Sequence, residues 1–236
     1  MNSYVVLDLE TTGLRPETDR ILEIGALKIE DGHVAKQYSV LINPQMQIPY
    51  GVQNLTGITQ AMAEKGEDAE KALRDFLEFC GNLPLLGHNI LFDYSFVKHM
   101  AVGMGLKFEK DGVDTLKIAR KTLPDLGSRS LEFLCRHYHI QQEHAHRAMD
   151  DARCTWQLFQ CLQEEFGEAC PEVFLPGKLI CHVKKQTPVT NSQKLYLNDL
   201  LKYHRIDTDI KIESLTKSEA SRMIDHIILQ YGRIKR

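Results

Sequence analysis

The 236-residue chain is predicted to form an α/β domain with a mixed β-sheet, followed by a small helical module. Three observations support this fold class. Residues 3–42 contain three apolar, β-branched stretches in a row, a pattern typical of an antiparallel meander. Residues 67–166 then alternate short apolar stretches with segments of helical periodicity, which favours strands covered by helices. Beyond residue 190, two helical segments each open with a capping-box sequence.

The first strands are indicated by apolar, β-branched sequence and by the turn that joins two of them. The predicted strands cover residues 3–9, 21–30 and 34–42. Asp31-Gly32 separates the last two strands and is a typical hairpin turn sequence. Residues 43–60 are predicted to be a loop, because proline and glycine recur in them.

The alternating part of the chain is predicted from the same two periodicities. Helices are expected where apolar residues recur every three or four positions, and one short buried strand ends at Gly87. The predicted elements are helices at 67–80, 94–104, 130–138 and 148–166, a strand at 83–86, and a short strand leading into a helix at 113–121.

The C-terminal part differs from the rest in composition and charge. Residues 171–189 hold three prolines and are predicted to link a domain at 1–170 to a module at 190–236. The net charge of −3 divides into −9 up to Pro176 and +6 from Gly177 onward. The basic module fits a nucleic-acid-binding role, a structural cap on the domain, or a self-association unit.

Composition excludes several classes of protein. The longest apolar run is too short for a membrane helix, which needs about 20 residues, and no membrane partner is expected. The N-terminus lacks the pattern of a signal peptide. The six cysteines form no CxxC pair and no zinc-finger spacing, so they are predicted to be reduced thiols in a cytoplasmic protein.

The most informative pattern is Asp8-Leu9-Glu10 at the end of the first predicted strand. Residues at i and i+2 of a strand point to the same face, so the two carboxylates lie side by side. Their repulsion and desolvation are relieved by a divalent cation, and Mg²⁺ or Mn²⁺ prefers such oxygen ligands. The alternative is that both side chains are solvated at the strand end.

Two further clusters strengthen the first interpretation. His88-Asn89 and Asp93 lie at a junction between a predicted strand and a predicted helix, where a carboxylate can be aimed beside the first strand. His146 falls just before the long predicted helix, and Asp151 falls in its first turns. A histidine on the preceding loop can reach over the site while the helix fixes the aspartate.

These motifs together resemble those of the DEDDh 3′–5′ exonucleases. The matching sequences are Asp8-x-Glu10-Thr-Thr-Gly, His88-Asn-x-x-Phe-Asp93 and His146-x-Ala-x-x-Asp151-Ala. They occur in order over about residues 1–166, with no departure at a motif position. Similar members include the proofreading epsilon subunit of bacterial DNA polymerase III and the exonuclease insert of the Gram-positive replicative polymerase.

The resemblance implies a ribonuclease H-like fold and a role for each motif residue. Four carboxylates would hold two Mg²⁺ or Mn²⁺ ions, and His146 would be the general base. His146 is preferred to His144, because Ala148 and Asp151 follow it at the spacing of the motif. The implied metal ligands are Asp8, Glu10, Asp93 and Asp151, and the implied substrate-binding residues are Thr11, Thr12, Leu14, His88 and Asn89. The two threonines would act through backbone N–H groups.

The predicted function is hydrolysis of single-stranded DNA from its 3′ end, releasing nucleoside 5′-monophosphates. A related enzyme that trims RNA is an alternative, because discrimination depends on whether the site admits a 2′-hydroxyl. A third hypothesis is a non-catalytic nucleic-acid-binding accessory of a polymerase, which the intact carboxylates and His146 disfavour. A replicative polymerase is a possible partner in either case.

Overall fold

A computed structural model describes residues 2–142, 145–183, 187–208 and 210–234 of the chain. The chain divides into two compact units, Met1–Val183 and Lys184–Arg236. Each unit is described by itself below.

The first unit is built on a six-stranded mixed sheet with the strand order β3-β2-β1-β4-β5-β6. The pairs β1–β2, β2–β3 and β5–β6 are antiparallel, whereas β1–β4 and β4–β5 are parallel. The strands are β1 (Tyr4–Thr11), β2 (Ile21–Glu30), β3 (His33–Leu41), β4 (Leu85–Gly87), β5 (Asp111–Asp114) and β6 (Gly177–Lys178). The sheet confirms the predicted ribonuclease H-like α/β class.

Seven α-helices belong to the described part of this unit, together with a 3₁₀ helix at Pro171–Phe174. The α-helices are α1 (Tyr50–Thr56), α2 (Gln60–Ala63), α3 (Ala69–Cys80), α4 (Ile90–Gly103), α5 (Thr115–Thr122), α6 (Leu131–His137) and α7 (Ala148–Phe166). Among the residues that the structure describes, no helix in either unit combines the length and apolar character needed to cross a bilayer.

The alternation of side chains along β1 divides the core between two faces of the sheet. Val5 and Leu7 pack in a cluster with residues of α3 and α4. Tyr4 and Val6 point the other way and pack with residues of α5, α6 and α7. The even-numbered continuation of β1 therefore places Asp8 and Glu10 on the face covered by α7.

The structure corrects two predicted boundaries in this unit. The predicted loop at 43–60 contains helix α1 and ends at the first residue of α2. Ile48 and Ile58 in this segment are buried and pack against Leu22 of β2, which holds the short helices to the sheet. Helices of seven and four residues are too short to show a clear period. Helix α4 begins at Ile90, four residues before the predicted start, because Asn89 turns the chain in a left-handed conformation.

The predicted linker also contains structure that belongs to the first unit. Residues 171–183 include the 3₁₀ helix and strand β6. Phe174 and Leu179 are buried, one in each of the two core clusters. Apolar side chains in this proline-rich stretch are what hold it to the sheet.

The second unit consists of α8 (Asn191–His204), a 3₁₀ helix at Ile212–Ser214 and α9 (Lys217–Tyr231). Both helices begin with the capping boxes that the sequence predicts, at Thr190 and Thr216. A small core joins them, formed by Leu197, Leu200, Leu201, Ile212 and Ile227.

Candidate active site

The site is built on the end of β1, where Asp8 and Glu10 lie on one face. Pairing with β2 places Asp8 opposite Gly25 and Glu10 opposite Glu23. The register of the two strands shifts immediately after Glu10. Both carboxylates of β1 are half-buried. The predicted side-by-side arrangement is therefore present at this strand end.

Gly25 lets helix α7 approach this part of the sheet. A Cβ atom at Gly25 would lie 2.1 Å from the backbone carbonyl carbon of Ala148, the first residue of α7. Any side chain here would push the start of the helix away from Asp8, and Asp151 would move with it. Gly25 was missed by sequence reasoning, although a glycine inside an apolar strand is a signal of close backbone approach.

Asp93 joins the site from the first turn of α4. Its Oδ1 atom accepts a hydrogen bond from the backbone N–H of Leu9 at 3.0 Å, between the two carboxylates of β1. Strand β4 pairs with Val5 and Val6 of β1 and ends before Leu9, so the backbone N–H of Leu9 has no hydrogen-bond acceptor on β4. Asp93 accepts that hydrogen bond instead, and the contact fixes its carboxylate beside Asp8.

His146 and Asp151 complete the group at the start of α7. Asp151 is buried, and its two carboxylate oxygens accept hydrogen bonds from the side chain of Gln142 at 2.6 Å and from the backbone N–H of His146 at 3.1 Å. One potential ligand atom each of Glu10, His146 and Asp151 lies within 4.8 Å of the others. His146 is exposed and adopts a left-handed backbone conformation with φ 62°. His144 lies outside the described residues.

Burial and mutual repulsion hinder ionisation of this cluster. Burial raises the pKa of Asp8 well above its usual range, and neighbouring carboxylates raise it further. Burial likewise raises the pKa of Glu10 to about 8, with Asp151 adding to the effect. The pKa values of Asp93 and Asp151 are also raised, primarily by burial. All four carboxylates can be ionised together at neutral pH only if positive charge is brought to them.

The donor set fits a hard divalent cation. Four carboxyl groups converge from β1, α4 and α7, and carboxylate oxygens are the ligands that Mg²⁺ and Mn²⁺ prefer. A bound cation would also reverse the unfavourable electrostatics of these buried acids. Two features of this site therefore suit a divalent cation: its ligands are carboxylate oxygens, and their mutual repulsion needs a positive charge to relieve it.

A fifth carboxylate, Glu23, lies beside the cluster and was missed by sequence reasoning. Its side chain is 3% exposed and forms an ion pair with Arg147 at 2.7 Å. The only sequence signal was an acidic residue between apolar neighbours in the β2 stretch. The negative charge of buried Glu23 is thus already neutralised by the guanidinium of Arg147.

The substrate-binding residues predicted in the first motif are Thr11, Thr12 and Leu14, and they differ in exposure and in hydrogen bonding. Leu14 is 81% exposed, so its side chain is available for apolar contact. Thr11 donates its hydroxyl hydrogen to the carbonyl of Gly13. The backbone N–H of Thr12 donates to the carbonyl of Arg20 at 2.8 Å, and its hydroxyl accepts from the N–H of Arg20. The local turn therefore uses the N–H of Thr12 as a donor, and the nucleotide contact expected of Thr12 stays a prediction.

His88 and Asn89 hold the junction between β4 and α4. The ring nitrogens of His88 are hydrogen-bonded to the hydroxyl of Thr115 and to the carbonyl of Arg129, both at 2.9 Å. The backbone N–H of Asn89 donates to Asp114, which also caps α5. His88 is committed to structure, whereas the side chain of Asn89 is exposed.

Comparison with known proteins places this geometry in a family. The RNase_T family profile, described as exonuclease, matches residues 5–159. DNA polymerase III PolC-type from Clostridium perfringens is 38% identical over 211 residues, which is 82% of this chain and 15% of that protein. DNA polymerase III subunit epsilon from Aquifex aeolicus is 35% identical over 164 residues, 69% of this chain and 81% of that protein. The chain thus spans only a small part of the PolC-type polymerases that it matches.

Solved structures show the same fold at lower identity. Exonuclease I of E. coli in complex with a dA16 oligonucleotide superposes with a TM-score of 0.61 at 21% identity, covering 70% of this chain and 41% of that chain. The nuclease domain of 3′hExo, a DEDDh family member bound to rAMP, gives a TM-score of 0.60 at 17% identity, covering 75% and 96%.

Proposed function

This chain belongs to the RNase_T family of exonucleases, and on that premise we propose that it is a divalent-metal-dependent 3′–5′ exonuclease acting on single-stranded DNA. We place it in the cytoplasm, which fits six cysteines that are all free thiols. Its product is a nucleoside 5′-monophosphate released from a 3′ end.

One observation carries the proposal. Four carboxylates and a histidine, drawn from three distant stretches of the chain, meet at the end of β1. Burying acids together is costly unless they act on a common charged partner. A non-catalytic binding protein would have no need to keep all five groups.

The metal ligands in this proposal are Asp8, Glu10, Asp93 and Asp151. Two Mg²⁺ or Mn²⁺ ions held there would supply charge for the attacking and the departing oxygen of a phosphodiester. The protein's own part is to fix the orientation of these carboxylates. The hydrogen bonds from Leu9 to Asp93 and from Gln142 to Asp151 serve that purpose.

His146 is the general base of the proposed reaction. A neutral imidazole accepts a proton near pH 7, which suits removal of the proton from an attacking water. The ring is exposed, yet one of its nitrogens lies within 4.8 Å of carboxylate oxygens of Glu10 and Asp151. It can therefore take a proton at the edge of the carboxylate cluster and pass it to solvent.

DNA is favoured over RNA as substrate by the names of the relatives at 35–38% identity, which are DNA polymerase III proteins. Those names also favour a replicative polymerase as partner. The exoribonuclease alternative becomes one outcome of the test.

The test uses oligonucleotides labelled at the 3′ or the 5′ end, as DNA and as RNA, with Mg²⁺, with Mn²⁺ and with a chelator. We expect release of mononucleotides from the 3′ end of single-stranded DNA with either metal, and none with the chelator. Shortening from the 5′ end, or cleavage that persists in the chelator, would contradict the proposal. Faster cleavage of RNA than of DNA would select the exoribonuclease alternative.

A further inference from the structure

Glu23 combines deep burial with a set of contacts that reaches the start of α7. Its Oε1 atom accepts from Nη2 of Arg147 at 2.7 Å, and its Oε2 atom accepts from Nε of Arg147 at 3.1 Å. The same Oε2 atom accepts from the backbone N–H of Ala148 at 3.0 Å. The ion pair with Arg147 is therefore bidentate, the strongest form of such a pair.

These contacts replace the usual cap of a helix. The residue before α7 is Arg147, and its side chain makes no capping hydrogen bond. A helix start leaves backbone N–H groups that need acceptors, and a negative charge there also complements the helix dipole. Glu23, on the neighbouring strand β2, supplies both the acceptor and the negative charge. Its contacts hold the start of α7 against the sheet next to the proposed metal ligands.

The same contacts act on His146, which immediately precedes Arg147. The left-handed backbone of His146 is unfavourable for a residue with a Cβ atom, and such conformations persist only when their surroundings fix them. The N–H of His146 is held by Asp151 on one side of this turn. On the other side, the next two residues are both held by Glu23.

Glu23 is not suited to be a metal ligand. Both of its oxygens already accept hydrogen bonds, and Arg147 neutralises its charge. Glu10, which faces it across the strand pair, has a pKa raised to about 8 mainly by burial. Of these two neighbouring glutamates, Glu23 has its charge neutralised by an ion pair with Arg147, and Glu10 is the one proposed to bind metal.

We propose that Glu23 is a positioning residue: through Arg147 and the start of α7 it holds His146 in the orientation needed for proton transfer. This inference rests on the proposed role of His146 as general base. Groups that orient metal ligands typically contribute roughly 10- to 100-fold to activity, and we expect an effect of the same order from a group that orients a general base.

The experiment is a double-mutant cycle in the full-length chain, using Glu23→Gln, His146→Ala and the combined variant. Single-turnover rates on a short DNA oligonucleotide are measured at saturating Mg²⁺, together with KM and the rise in Tm that Mg²⁺ produces. We expect Glu23→Gln to lower the rate by roughly 10- to 100-fold with KM and the metal-induced rise unchanged. In the His146→Ala background the same substitution should have little further effect.

An equal loss in both backgrounds would overturn the inference, because Glu23 would then act independently of His146. A reduced metal-induced rise in Tm would also overturn it, by assigning Glu23 to metal binding. His146→Ala with an unchanged rate would instead refute the proposed general base, and it is measured separately from any Glu23 variant.

A second variant protects the test against loss of folding. Arg147→Lys keeps a cation beside the buried Glu23 but cannot form the bidentate pair, so it should fold even if Glu23→Gln does not. It should lower the rate as Glu23→Gln does, and this loss should again depend on His146. Glu132→Gln removes an exposed ion pair with Arg136 on α6 and should change neither rate nor KM. Wild-type kinetics in Arg147→Lys would contradict the proposal.

Discussion

The two compact units satisfy their polar groups in opposite ways. In the second unit, both helices begin with a capping box in which side chain and backbone exchange hydrogen bonds. In the first unit, the end of β1 gathers four carboxylates whose pKa values are all raised. The helix starts of the second unit thus follow local rules, whereas the end of β1 brings like charges together at a cost in free energy, as functional sites commonly do.

The largest effect is expected where that difference is greatest. Alanine at Asp8, Glu10, Asp93 or Asp151 should each abolish turnover, by roughly 10⁴-fold or more, because the four groups act as one unit. The rates are measured on 3′-labelled DNA in Mg²⁺. Asp150→Ala is the matched control, since it removes the carboxylate that precedes Asp151 on α7 and should leave the rate near wild type. A near-normal rate in any of the four variants would exclude that residue as a ligand.

His146→Ala tests the one member of the site that is not an acid. The rate should fall by roughly 10²- to 10⁴-fold, the usual contribution of a general base. The rise in Tm that Mg²⁺ produces should be unchanged in this variant, because His146 is not a proposed metal ligand. His144→Ala is the control and should keep the wild-type rate. A large loss of rate in His144→Ala, with a rate near wild type in His146→Ala, would reverse the assignment.

Much of the first unit could be predicted from sequence, because its strands and long helices have clear periods. The meander of β1 to β3 and the long helix α7 were found within a few residues. The segments that escaped prediction are held by long-range contacts. Leu179, for example, is buried against a core that its own proline-rich surroundings do not reveal.

The candidate site could be predicted only where a residue type carries the chemistry. Asp8, Asp93 and Asp151 stand in recognisable motifs, and the structure brings them to one place. Glu23 and Gly25 act through register, since each lies opposite a carboxylate of β1. A glycine inside an apolar strand signals close backbone approach, but the pairing register is set by the whole sheet, and only the register shows that these two residues lie beside the site.

Removing the second unit tests whether it serves the first. Residues 184–236 hold 11 Lys and Arg against 6 Asp and Glu. The cut belongs after Val183, because a cut at Pro176 would remove β6 and the buried Leu179. The shortened chain should keep kcat on short oligonucleotides and bind long single strands roughly tenfold more weakly, with a salt slope reduced by about 0.7 for each lost phosphate contact.

Binding is measured by titration of labelled strands at several salt concentrations. Equal affinity and equal slope in the two proteins would exclude a strand-holding role for residues 184–236. A shortened chain that fails to fold would instead assign them a structural role.

The smallest effect separates Glu10 from Glu23, which face each other across β1 and β2. Burial raises the pKa of Glu10 from 4.5 to about 8, so the folded state holds its proton more tightly than the unfolded state does. The stability that this group contributes is complete below pH 4.5 and is lost as the pH rises through about 8. Without metal, the Tm of the wild type should therefore fall across this range.

Glu10→Gln removes the charge that causes this loss. At pH 8 and without metal, its Tm should exceed that of the wild type, and each 1 kcal/mol of relieved repulsion should raise it by about 2–4 °C for a chain of this size. With saturating Mg²⁺ the order should reverse, because only the wild type gains a full set of ligands. Glu23→Gln is the matched control and should lower the metal-free Tm, since it breaks an ion pair that is already complete. If both variants shifted the metal-free Tm in the same direction, the two glutamates would not differ in the way that their surroundings indicate.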